Sequence, residues 1–136
     1  MDAITPIKKI KILIVEDQET IRKVYRTILE SAGYGIIEAD DGAKGWSWAQ
    51  TACPDLIITD LMMPVMDGYE LIQKIRSDPE TRAIPVIVLS MRGEDSNIKK
   101  ALSLGATGFL TKGYVPPKTI VDQIRSALQS ARDGGI

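Results

Sequence analysis

The sequence contains no histidine. That absence removes His-dependent nucleophilic triads, imidazole zinc sites and any phosphohistidine carried by this chain. There is a single cysteine, Cys53, so an internal disulfide is excluded. With no imidazole to activate its thiol, Cys53 reads as a small buried or half-buried hydrophobe beside Pro54. An excess of charge of one sign is also missing. Seventeen basic residues against 18 acidic ones give a net charge of −1, too weak a basic field to hold nucleic acid or an anionic membrane by electrostatics. The lysines at Lys8, Lys9 and Lys11 and at Lys99 and Lys100 therefore read as solvated surface charge. Long apolar runs are absent too; none approaches the roughly 20 residues needed to cross a bilayer. Residues 1–9 carry Pro6 and two lysines but no apolar core, so they read as a loose leader rather than a signal peptide, on a cytoplasmic protein.

What is present is an ordinary globular composition, 44% hydrophobic and 26% charged, in a 136-residue chain with room for one compact domain and one site. Short β-branched runs alternate with stretches of helical period. Ile12-Leu13-Ile14-Val15 stops at Glu16-Asp17, and Ile21, Val24, Tyr25, Ile28, Leu29 and Ala32 then repeat at the spacing of a helix buried on one face. Ile36-Ile37 is a second strand and precedes a weaker helix containing Trp46 and Ala49. Leu56-Ile57-Ile58 stops at Asp60, and Asp67-Gly68 opens a helix with Leu71, Ile72 and Ile75. Val86-Ile87-Val88-Leu89 stops at Ser90, before a fourth helix with Ile98, Ala101 and Leu102. Gly108-Phe109-Leu110 stops near Lys112, and the last helix runs from about Pro117 to Ala131. Continuous apolar strands alternating with helices predict a doubly wound α/β domain, a five-stranded parallel sheet covered on both faces by five helices.

In open parallel sheets the ligand site lies beyond the carboxyl ends of the strands. Here those ends carry Glu16 and Asp17, Asp60, Ser90, and Thr111 and Lys112. Three carboxylates meeting on one edge repel one another unless a divalent cation neutralises them. Oxygen ligands with no histidine or cysteine suit Mg²⁺. A lysine and a hydroxyl facing that cation are the groups to hold an added phosphoryl oxygen.

The stretches ILIVED (12–17), GYGIIEADDG (33–42), PDLIITDLMMPVMDG (54–68), IPVIVLS (84–90) and GATGFLTK (105–112) resemble the receiver domain of bacterial two-component response regulators. The resemblance covers about residues 10–131, leaving 132–136 as a tail, and implies the strand order 2-1-3-4-5. It makes Asp60 the phosphoacceptor. Mg²⁺ is then held by Asp17, Asp60 and the Met62 backbone carbonyl, with Glu16 acting through a bound water. Lys112 and Ser90 take phosphoryl oxygens, and Phe109 occupies the aromatic switch position. The implied partners are a sensor histidine kinase or phosphotransfer protein upstream and a protein target downstream. That target would be met by the face of helix four, strand five and helix five. The chain would be a phosphoacceptor supporting its own phosphoryl transfer and autodephosphorylation rather than an enzyme acting on other substrates. It is expected to stand alone, with a receiver cut from a longer regulator as the alternative.

Three segments depart from the family pattern. Gly113 follows Lys112 where proline is usual, so the intervening peptide is expected to be trans. Met91 and Arg92 follow the switch hydroxyl where a small residue is usual, and are expected to gate access to the phosphoryl group. Trp46 is expected to pack on the core and Trp48 to point outward. Two other functions fit the fold class less well. A flavin-binding protein would need a hydroxyl- and glycine-rich turn where Glu16-Asp17-Gln18-Glu19 stands. An aspartyl hydrolase would need a cap segment and a second acid/base carboxylate beside Asp60.

Overall fold

The computed structural model describes residues 9–91, 94–113 and 115–133. In chain order the elements are β1 Lys11–Val15, α1 Glu19–Ser31, β2 Gly35–Ala39, α2 Gly42–Ala52, β3 Leu56–Asp60, α3 Gly68–Ser77, β4 Val86–Ser90, α4 Asp95–Ser103, β5 Gly108–Thr111 and α5 Pro117–Asp133. The five strands form one parallel sheet in the order β2-β1-β3-β4-β5.

Alternate side chains of each strand enter one of two cores. Ile12, Ile14, Leu56, Ile58 and Leu89 pack with Tyr25 and Leu29 of α1 and Ile120 and Ile124 of α5. Leu13, Val15, Ile57, Val86 and Val88 pack with Ala49 of α2, Leu71, Ile72 and Ile75 of α3 and Ala101 of α4. Both faces of β1, β3 and β4 are therefore dry, which is why these strands read as unbroken apolar runs. Strand β2 lies at the sheet edge. Only Ala39 of it is fully buried, and Glu38 interrupts its apolar run.

Two helix starts are fixed by side chains. Asp41 accepts from Lys44 N at 2.7 Å and Asp67 from Glu70 N at 2.9 Å, each satisfying a helix-start amide. Helix α2 lies close on β1 because Gly45 has no side chain; a Cβ there would stand 2.8 Å from a Val15 methyl. Trp46 is half-buried against the second core, and Trp48 on the opposite side is exposed.

Cys53 corrects the sequence reading. It is exposed, not buried, because it ends α2 in the left-handed conformation at φ 48°, where the backbone turns away from the helix and Pro54 takes the buried place. Helix α5 also reaches Asp133, past the expected end at Ala131. The peptide between Lys112 and Gly113 is trans, and Gly113 has φ 109°, open to glycine at little cost.

Candidate functional site

The sheet register brings the candidate residues to one edge. Val15 pairs with Thr59, so Glu16 and Asp60 leave adjacent strands at the same level. Asp60 pairs with Leu89, and Ser90 pairs with Thr111. Lys112 N donates to the Ser90 carbonyl at 2.7 Å, which extends the ladder one residue beyond β5 and turns the lysine inward.

At the centre stands Asp60, 6% exposed. Its Oδ1 accepts from Leu61 N at 2.7 Å and from Met62 N at 3.4 Å, and its Oδ2 accepts from Lys112 Nζ at 2.6 Å. The same ammonium lies 3.0 Å from Glu16 Oε1. Glu16 is fully buried, and its Oε2 accepts from Gln18 N at 3.0 Å. Burial pushes the Glu16 carboxyl above its ordinary range, an effect that the Gln18 amide and Lys112 only partly offset. For Lys112, burial works to lower the pKa, but its bonds to Asp60 and Glu16 win and hold the ammonium above the ordinary lysine value.

Carboxylate oxygens of Glu16, Asp17 and Asp60 lie within 4.8 Å of one another. Carboxylate oxygens with no histidine or cysteine among them suit a hard divalent cation such as Mg²⁺, which takes one or two carboxylates and keeps several waters. When all are ionised, three carboxylates against one ammonium leave two negative charges, equal and opposite to a divalent ion. Glu16 Oε1 is buried and faces the Lys112 ammonium without a hydrogen bond of good geometry. Asp17 is exposed at the mouth of the cleft.

Ser90 Oγ is the other buried polar atom without a partner among the described residues. It stands at the end of β4 with its residue only 1% exposed. An unsatisfied buried hydroxyl costs free energy that an added acceptor oxygen would recover. Phe109 on β5 is exposed, 39%, so its ring lies outside the fold. Met91 follows Ser90 on the surface, and its N–H donates to Glu94 Oε2 at 3.0 Å. Arg92 lies outside the described residues. Met62 is exposed immediately beyond Asp60 and Leu61.

The β3–α3 loop is pressed against Asp60 by Gly68. A Cβ at that position would overlap the Asp60 carbonyl oxygen and lie 2.8 Å from Leu61 Cα. Arg22 and Glu38, absent from the sequence reading, lie beside the site. Arg22 donates from one guanidinium nitrogen to the Glu16 carbonyl at 2.8 Å and from Nε to Glu38 Oε1 at 3.0 Å. The one signal in the sequence was a glutamate interrupting the apolar run of β2.

The sequence profile of the response regulator receiver domain matches residues 12–125. The chain is 45% identical over 103 residues to the KDP operon transcriptional regulatory protein KdpE of Escherichia coli, covering 76% of this chain and 44% of KdpE. It is 36% identical over 121 residues to a probable transcriptional regulator, ycf27, of Guillardia theta, covering 89% and 46%. Among solved structures, the putative response regulator of Chloroflexus aurantiacus superposes with TM-score 0.86 at 29% identity, covering 90% of this chain and 99% of that one. This chain belongs to the response regulator receiver domain family. The family is one of phosphoacceptor signalling domains that bind Mg²⁺ in an acidic pocket, and the carboxylate cluster stands where that pocket is expected. The chain spans about half the length of the curated relatives it matches. Among the described residues no helix is long and apolar enough to cross a membrane.

Proposed function

We propose that Asp60 accepts a phosphoryl group from the phosphohistidine of a sensor kinase or phosphotransfer protein, with Mg²⁺ bound by the carboxylates around it. A carboxylate oxygen of Asp60 forms the new bond to phosphorus, the P–N bond breaks, and the imidazole leaves with a proton from solvent. The cation supplies charge neutralisation, drawing phosphoryl oxygens toward a cleft that would otherwise repel them. Asp17 and Asp60 would hold it directly, with the Met62 carbonyl, and Glu16 would act through a water. Lys112, which in this structure bridges Asp60 and Glu16, would turn its ammonium to a phosphoryl oxygen. Ser90 would donate its free hydroxyl to another. The observation that carries the reading is the conjunction at one sheet edge of a buried acceptor carboxylate, its lysine and an unpartnered serine hydroxyl.

The added charge of about −1.5 to −2 draws the loops of Ser90 and Lys112 inward. The face of α4, β5 and α5, where Leu102 and Phe109 are exposed, is the surface that such a movement would present to a downstream protein. Curated relatives about twice as long that are named as transcriptional regulators favour a receiver joined to an output domain over the stand-alone receiver expected from the sequence. The length of the native reading frame separates the two. Cytoplasmic location belongs to the same reading.

Incubation with phosphoramidate should add one acid-labile phosphoryl group by intact-mass measurement, and a chelator should prevent it. Labelling that is undiminished by the chelator would contradict the metal requirement. Met91 is proposed to shadow the approach of water to the phosphorus. Met91→Ala should accordingly speed loss of the phosphoryl group at saturating Mg²⁺; an unchanged rate would remove Met91 from any gating role.

A further inference from the structure

We infer that Arg22 is a positioning residue for cation binding, acting on the acidic cluster through the backbone without touching its carboxylates. The inference rests on the Mg²⁺ reading above. Asp17 is the exposed member of the cluster, and the backbone that carries it must be held by its neighbours. The peptide joining Glu16 to Asp17 presents its carbonyl to Arg22, which donates to it at 2.8 Å from the first half of α1. Arg22 is itself anchored at 3.0 Å to Glu38 on the adjacent strand β2, and Glu38 is held from its other oxygen by Arg26 at 2.9 Å. The side chain of Arg22 is only 16% exposed, so the brace is shielded from water for most of its length. Glu16 N in turn donates to the Ala39 carbonyl at 3.0 Å, next to Glu38 along β2. The turn that carries Asp17 is thus bolted to β2 by a backbone bond and by the Arg22–Glu38 pair. Remote partners that fix the orientation of metal ligands typically change affinity about 10-fold to 100-fold when removed.

Electrostatics and positioning predict opposite signs here. Arg22 is a cation beside a cation site, so deleting its charge should by Coulomb's law tighten Mg²⁺ binding. Deleting the brace should weaken it, because the Asp17 turn then pays the cost of ordering when the ion binds. Calorimetric titration of the full chain with MgCl₂ decides between them. Arg22→Met should bind Mg²⁺ about tenfold more weakly than the parent, at the low end of the range for such partners. Arg22→Lys keeps the charge but not the fixed fork that serves carbonyl and carboxylate together, and should fall between the two. In phosphoramidate labelling, the Mg²⁺ concentration for half-maximal rate should rise in parallel while the rate at saturating Mg²⁺ stays at the parental value. Equal or tighter Mg²⁺ binding by Arg22→Met overturns the inference. Should Arg22→Met fail to fold, Arg22→Lys carries the same test, since charge alone predicts no change for it. A parent chain that binds no Mg²⁺ would instead overturn the reading of the cluster itself, a result visible before any variant is compared.

Discussion

Val65 holds a backbone conformation that β-branched residues avoid. Its φ is 71°, and Met66 N donates to the Pro64 carbonyl at 2.8 Å across it, a tight three-residue turn of the strained hand. Its side chain is 81% exposed, so no packing repays the strain. A non-glycine residue in the left-handed region costs about 1–2 kcal/mol. Glycine gives back about 0.5–1 kcal/mol through its freer unfolded chain. Val65→Gly should therefore stabilise the fold by about 0.5–1 kcal/mol, read as a higher urea midpoint at unchanged slope. A lower midpoint would mean that Val65 makes a contact its exposure does not reveal. Nothing in the sequence announced this turn, because a valine is the residue type that argues against positive φ. Cys53 teaches the same lesson from the other side. Its burial was inferred from its chemistry, whereas its exposure follows from a backbone angle that composition does not encode. By contrast, Asp60, Ser90 and Lys112 were legible as candidates, since each stands where an apolar run stops, and the register carries all three to one edge. The burial of Glu16 and the bracing of its carbonyl by Arg22 were not legible, because they depend on which strand lies beside β1.

Among the elements, the β3–α3 connection is the one most tightly constrained by the site. Gly68 begins α3 in contact with the backbone of Asp60 and Leu61, and Gly68 N donates to the Leu61 carbonyl at 2.8 Å. A methyl group there has no flexible neighbour to displace, only main chain. Gly68→Ala should cost on the order of 1–3 kcal/mol, the range for overpacking a close contact, and should displace the Asp60 carbonyl. Urea denaturation measures the first effect and the amide shifts of residues 60–62 the second. A variant as stable as the parent would show that α3 can slide away from β3 freely. Strands β1, β3 and β4 were readable in the sequence because burial on both faces leaves an unbroken apolar run, and β2 was read too short because an edge strand buries less. The helices announced themselves by one-sided periodicity, with Asp41 and Asp67 marking two starts. Strand order was different. Five interchangeable apolar runs carry no address, and the order came from resemblance until the pairing itself supplied it.

The whole molecule is organised about one edge of its sheet. A sheet buried on both faces delivers a shielded carboxylate, a lysine and a free hydroxyl to its carboxyl edge, beside a cluster whose charge asks for a divalent cation. Among the described residues, Ser90 Oγ at that edge is buried without a hydrogen-bond partner, a polar deficit that a phosphoryl oxygen would fill. The surface that would answer the change, α4–β5–α5, is attached to the site through β4 and β5 directly, with Ser90 and Lys112 at their ends. The claim on which all of this depends is that Asp60 forms the acyl phosphate. Borohydride reduction of the phosphoramidate-treated chain, followed by peptide mass mapping, tests it most directly, because hydride converts an aspartyl phosphate to homoserine and leaves free carboxylates alone. Homoserine is expected at position 60 and nowhere else, formed with Mg²⁺ and absent from Asp60→Asn. Homoserine at Asp17 or another aspartate, or equal phosphate incorporation in Asp60→Asn, would contradict it.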